Sequence, residues 1–192
     1  MTYSISHFVD FLILNDIIKP QQRSIYIYGF DLMFHTVINT LCVLIIGILS
    51  SHVLEVLILL FFFCCNQSIG GGFHAATHFR CFTCSILGTI LYVFLINIAL
   101  PEESILFVGT ISVVLLWHYP LVLHPNKSYL SSKRVLLIHR SKQFIVQCTI
   151  VLTSTFFLNC PTLFISLSYS LLLSALSRFI AISRGKSICC HS

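Results

Sequence analysis

Charge is what this sequence has least of. Only 9% of its 192 residues are charged, while 57% are hydrophobic, and mean hydropathy is +0.95. A soluble domain carries about a quarter charged residues, so this chain cannot cover itself against water and lipid is its natural solvent. Eleven Lys and Arg stand against six acids, without a basic face dense enough for nucleic-acid binding. A secretory signal is also missing: Met1 to Lys19 contains Asp10 and Asp16, with no basic start and no small-residue cleavage site. Cysteine is plentiful, at nine. Most lie in or beside apolar runs (Cys42, Cys64, Cys65, Cys148, Cys160), where they read as small hydrophobes rather than a disulfide framework.

Long apolar runs are what the chain has instead. Ile5, Phe8, Val9, Leu12, Ile13 and Ile17 recur at helical spacing among polar residues, which predicts an amphipathic interfacial helix within residues 1–31. Pro20 and Gly29 punctuate that segment. Six spans are expected next, at about 32–49, 53–65, 82–100, 105–123, 144–158 and 163–182, the second extending toward Ile69. Turns at Ser50-Ser51-His52, Pro101-Glu102-Glu103 and Asn159-Cys160-Pro161 separate them. The expectation is an all-α, polytopic membrane protein with a single domain: interfacial segment 1–31, bundle 32–182 and tail 183–192.

Basic residues orient the bundle, because Lys and Arg collect on the cytoplasmic side of short loops. A polar loop from His124 to Lys142 holds Lys127, Lys133, Arg134, Arg140 and Lys142 and no acid. Lys19 and Arg23 precede the first span, Arg80 lies before the third, and Arg184 and Lys186 follow the last; the other three turns carry no basic residue. Six alternating spans with both termini inside place every basic cluster, and the glycine-rich segment before the third span, on the cytoplasmic side. Four full spans, with two runs interfacial or re-entrant, are the alternative.

That glycine-rich segment carries the densest chemistry: Gly70-Gly71-Gly72-Phe73-His74-Ala75-Ala76-Thr77-His78-Phe79-Arg80-Cys81. A cysteine nucleophile acts as its thiolate and needs a neighbouring base or positive charge. His74 and Cys81 fit that pairing, with Arg80 adding charge. In one straight helix they would stand about 10.5 Å apart along the axis, too far for proton transfer, so the pairing requires a break between them. His78 is a rival base. His74 and His78 with Cys81 or Cys84 also resemble a zinc ligand set, although no further ligand cluster accompanies them. Interfacial histidines beside a packing cysteine are the plain alternative.

In this segment the chain resembles the accessory gene regulator B family of bacterial membrane proteins. The likeness lies in Gly71-Gly72-Phe73-His74-Ala75, with Arg80-Cys81 following, and in the later His124-Pro125-Asn126-Lys127-Ser128 turn ahead of a basic cluster. Length and hydropathy plan agree over nearly the whole chain. The resemblance implies a cysteine endopeptidase of quorum sensing, embedded in the bacterial cell membrane, with Cys81 as nucleophile and His74 as general base and with neither metal nor cofactor. Its substrate would be a membrane-associated propeptide, cut near its C-terminus and closed into a thiolactone or lactone. Arg80, Lys127, Lys133, Arg134, Arg140 and Lys142 would attract an acidic propeptide tail, and a homodimer is suggested. The competing function is a polytopic transporter or exporter of a small peptide or solute, in which Cys81 is incidental.

Overall fold

The computed structural model describes residues 2–71, 78–98, 100–119, 121–122 and 131–183. Seven α-helices follow one another among them: α1 Thr2–Leu14, α2 Arg23–Leu49, α3 Val53–Gly70, α4 His78–Asn97, α5 Glu102–His118, α6 Ser131–Phe157 and α7 Pro161–Ser183, with a 3-10 turn at Pro20–Gln22. No strand occurs among the described residues. Among the described residues five stretches are long and apolar enough to cross a membrane: Pro20–Leu49, Val53–Gly70, Phe79–Asn97, Arg134–Phe157 and Pro161–Ser183. The protein is an all-α polytopic membrane protein.

The helix breaks follow from local chemistry. Ser51 and Asn159 take left-handed conformations, φ 61 and 51, and separate α2 from α3 and α6 from α7. Pro161 opens α7 at a position where the missing N–H has no helical partner to lose. Glu102 and Glu103 lie in the first turn of α5, where the helix N-terminus favours negative charge.

Three boundaries differ from the hydropathy plan. Gly29 does not punctuate; it lies inside α2, because a glycine in a long helix costs only about 1 kcal/mol relative to Ala. The fourth expected span is shorter than the run from 105 to 123, since α5 ends at His118. Its 17 residues reach the lower end of spanning length, about 17–25 residues. The polar loop expected up to Lys142 is largely helix: α6 begins at Ser131 and takes Lys133, Arg134, Arg140 and Lys142 into its first turns. Lys, Arg, Leu and Gln are good helix formers, so polarity there marks the end of the membrane-spanning part rather than the end of the helix.

The chain forms two units, Met1–Val43 and Leu44–Ser192. In the first, α1 folds back on the start of α2. Arg23 donates from Nε and Nη2 to the two Asp10 carboxylate oxygens at 2.7 and 2.9 Å, and Phe8 meets Phe30 edge-on, ring centroids 5.2 Å apart. Val9 and Ile18 are buried, while Phe8, Phe11, Leu14 and Ile17 are exposed. The apolar stretch Ser4–Leu14 is too short to cross a membrane.

The second unit is organised around α7. Phe164, Leu167, Leu171 and Ala175 on α7 pack with Leu116 of α5 and Ile145, Cys148 and Leu152 of α6. Serines stand on its buried faces: Ser166, Ser168, Ser170 and Ser174. Small residues let helices approach where lipid provides no hydrophobic drive; a Cβ on Gly109 of α5 would stand 3.0 Å from Ser168 Oγ and 3.1 Å from Leu152. Paired contacts give the helix directions. Tyr92 and Gly88 of α4 meet Ser166 and Tyr169 respectively, so α4 runs opposite to α7. Gly109 and Leu116 of α5 meet Ser168 and Arg178, so α5 runs along α7, and Gln67 and Gly70 of α3 meet Ser177 and Arg178 in the same sense. Ser141 of α6 bonds Arg178 while Leu152 lies at the Gly109–Ser168 level, so α6 is antiparallel. Directions thus alternate from α3 to α7, and α5 traverses the unit as its neighbours do.

Candidate active site

The alternation gathers the end of α3, the end of α5, the start of α6 and the end of α7 at one end of the second unit. The glycine-rich segment begins there. α3 ends at Gly70, and Gly71 turns the chain away with φ 65 and ψ 177 while its N–H still reaches Gln67 O at 3.0 Å. A Cβ at Gly71 would collide with the Val122 carbonyl. In return, Val122 N–H donates to Gly70 O at 3.3 Å. The residues leading to His74 and those leading to His124-Pro125-Asn126-Lys127 are therefore joined at their roots. His74, Lys127 and the Pro-Asn-Lys turn themselves lie outside the described residues.

Cys81 lies three residues into α4 as described and is exposed, as are Arg80 and Cys84. Its height in the bundle follows from the register. The Tyr169 hydroxyl donates to Gly88 O at 3.2 Å. Cys81 is about 10 Å from Gly88 along α4, and Arg178 about 13 Å from Tyr169 along the antiparallel α7. Both rises point the same way, so Cys81 belongs to the same end as Gly70 and Arg178. The break in helix that a His74–Cys81 pairing requires between the two falls within residues 72–77, outside the described residues; what the structure shows is the turn at Gly71 that ends α3 before them. Among the described residues no three His, Cys, Asp or Glu side chains stand together as a metal site; the zinc alternative turns on His74, outside them.

The basic residues of α6 divide by environment. Lys133 lies in the first turn, its side chain outside the described set. Arg134 is half-buried, and its Nε has no hydrogen-bond partner among the described residues. Arg140 is exposed. Lys142 holds its ammonium 5.2 Å from the Trp117 ring centroid, a cation–π contact to the last turn of α5.

Arg178 is the residue that sequence reasoning passed over. It is 1% exposed. Its Nη1 donates to Leu116 O at 3.4 Å and its Nη2 to Ser141 Oγ at 3.3 Å, and its Nε has no partner among the described residues. Nearby, Gln67 Nε2 donates to Ser177 Oγ at 2.9 Å. Asn66, 2% exposed, has no partner for either amide atom among those residues. The available signal was an arginine inside an apolar run, since ionisable groups at such positions are costly to bury and tend to be retained for a role.

Comparison with known proteins gives the family of the chain. No curated protein and no solved structure matches the chain. The family model for accessory gene regulator B matches residues 5–182, which include α3 to α6 and the glycine-rich segment entire. The chain therefore belongs to the accessory gene regulator B family, whose members take part in the processing of quorum-sensing peptides.

Proposed function

We propose that the protein is a membrane cysteine endopeptidase that matures a quorum-sensing propeptide. The observation that carries this reading is an exposed cysteine, Cys81, at the same end of the bundle as the Gly70–Gly71 turn from which the chain proceeds to His74. His74 takes the Cys81 proton, and the thiolate attacks the scissile carbonyl carbon. The peptide C–N bond breaks, and the imidazolium returns the proton to the departing amine of the C-terminal tail. The propeptide remains as a thioester on Cys81. A thiol or hydroxyl of the same propeptide then displaces Cys81 and closes a thiolactone or lactone, the thioester retaining enough of the cleaved bond's energy for ring closure without ATP.

Arg80, Lys127, Lys133, Arg134, Arg140 and Lys142 face an acidic propeptide tail in this reading, as a field of positive charge beside the site. The catalytic segment and both termini are cytoplasmic, by the distribution of Lys and Arg. The chain acts as one membrane-embedded domain, in a homodimer.

Co-expression with a tagged propeptide encoded beside this gene tests the reading, comparing wild type, Cys81→Ser and His74→Ala by gel shift and mass spectrometry. Wild type is expected to shorten the propeptide and both variants to leave it whole, with the product mass showing whether water has been added or a ring closed. Full processing by Cys81→Ser would sink the assignment and bring the transporter reading forward.

A further inference from the structure

Gly70 and Gly71 are adjacent glycines required for different reasons. Gly71 needs its φ of 65, which L side chains rarely adopt. Gly70 is ordinary helix, so its conformation asks for nothing special. Space does: the Arg178 guanidinium occupies the place where a Cβ on Gly70 would stand.

The same guanidinium reaches Leu116 O in the last turn of α5 and Ser141 Oγ on α6. One side chain of α7 thus meets three other helices where two of them end. Val122, a few residues beyond α5, bonds back to Gly70 O, so both glycine-turn contacts and the α5 exit are held around Arg178. Among the described residues no acid pairs with this cation. The acids of the second unit are Glu55, Glu102 and Glu103, in the first turns of α3 and α5, about 20 Å from Gly70 and Leu116 by helix rise. Burying an unneutralised guanidinium is strongly unfavourable, and an apolar side chain of similar volume would tie the helices with less penalty. What the guanidinium adds is a rigid planar group with directed donors, set against the residue at which the chain departs toward His74.

We propose that Arg178 is a positioning residue: it fixes the direction in which the chain leaves α3 at Gly70–Gly71, and through it the placement of His74 against Cys81. The proposal rests on the cysteine-peptidase reading.

The test measures two things on the full-length protein in membranes: steady-state processing of the propeptide, and iodoacetamide labelling of Cys81 near neutral pH. In Arg178→Lys and Arg178→Met, kcat is expected to fall about thirtyfold or more, with KM within about threefold. Cys81 labelling should slow to the level of His74→Ala, although Arg178 is neither the base nor the nucleophile. Adding Arg178→Met to His74→Ala should slow labelling no further. Gly70→Ala, which keeps the arginine but takes its space, should produce the same fall. Gly70→Ala decides the matter if Arg178→Met does not fold.

Labelling at the wild-type rate in the Arg178 variants, with His74→Ala slow, overturns the proposal and leaves Arg178 a helix tie. A rise in KM alone overturns it as well, since the arginine would then act on the substrate. If His74→Ala itself labels at the wild-type rate, the peptidase reading has failed, and that result needs no Arg178 variant.

Discussion

The Tyr92 hydroxyl lies 2.6 Å from Ser166 Oγ in the buried contact of α4 with α7. Ser166 itself donates to Thr162 O at 2.6 Å, so the tyrosine O–H is the donor of the shared bond. Tyr92 also stacks on Tyr169, ring centroids 4.9 Å apart. This is the main polar link between α4, the helix that carries Cys81, and the centre of the second unit. Tyr92→Phe should lower stability by about 0.5–1.5 kcal/mol, the net worth of one hydrogen bond. Tyr92→Ala, which also empties the ring's space, should cost about 3–5 kcal/mol. Thermal unfolding in detergent distinguishes the two; equal losses would mean that the ring contributes nothing.

Gly109 is a second packing constraint. With Ser168 Oγ 3.0 Å and Leu152 3.1 Å from a Cβ there, Ala requires a small shift of its neighbours and Leu a large one. Gly109→Leu should destabilise by about 1–3 kcal/mol through overpacking, read as a lower Tm, and the larger effect should disappear when Leu152 is shortened to Ala.

Lys142 and Trp117 pair α6 with α5. Lys142→Met and Trp117→Leu should each lower stability modestly, and a double-mutant cycle should return a coupling of about 0.5–1 kcal/mol. If Lys142 also faces the substrate, its replacement raises KM for an acidic propeptide by more than the stability change accounts for. An unchanged KM would confine Lys142 to the Trp117 contact.

The Asp10–Arg23 pair has a pH dependence of known sign. The hydrogen bond from Arg23, with its charge, holds the Asp10 carboxyl below its ordinary value. A depressed folded-state value means that the pair's stabilisation is complete above the unfolded carboxylate range, about pH 4, and is lost as pH falls through the folded value. Hydrogen-exchange protection in α1, taken relative to the intrinsic exchange rate at each pH, should therefore fall at acidic pH in wild type, and Asp10→Asn should show reduced protection already at neutral pH that changes little with acid. The amphipathic α1 also offers a membrane-surface site for an amphipathic leader of the propeptide: with that role, deletion of residues 1–18 abolishes processing while leaving membrane insertion intact, and normal processing by the truncated chain excludes it.

Much of the fold was legible because lipid-soluble helices announce themselves by hydropathy, and their ends by residues with local effects. Ser51, Pro101, Asn159 and Pro161 each mark a break for a backbone reason visible in the sequence. The start of α6 was not legible on the same grounds. Lys133, Arg134, Arg140 and Lys142 read as loop by polarity alone, yet nothing in 131–143 breaks a helix, and polarity reports solvent rather than backbone. Gly29 misled in the opposite way, a flexible residue absorbed by helix on both sides. At the candidate site, Gly71 and Cys81 could be picked out by residue type. Arg178 could not be placed, because its meaning lies in α3, α5 and α6, up to 108 residues away in sequence at Gly70, and only packing brings them to it.

The mutual contact of Val122 with Gly70 and Gly71 also bears on how such chains can diverge. Gly71 is confronted chiefly by the main-chain carbonyl of Val122, and the bond to Gly70 comes from its main-chain N–H. The side chain at 122 is thus comparatively free to change, whereas the number of residues from the end of α5 at His118 to 122 is not. A single insertion there would present a different peptide group to the glycines. Related sequences should accordingly tolerate substitution at 122 but keep this interval free of insertions and deletions.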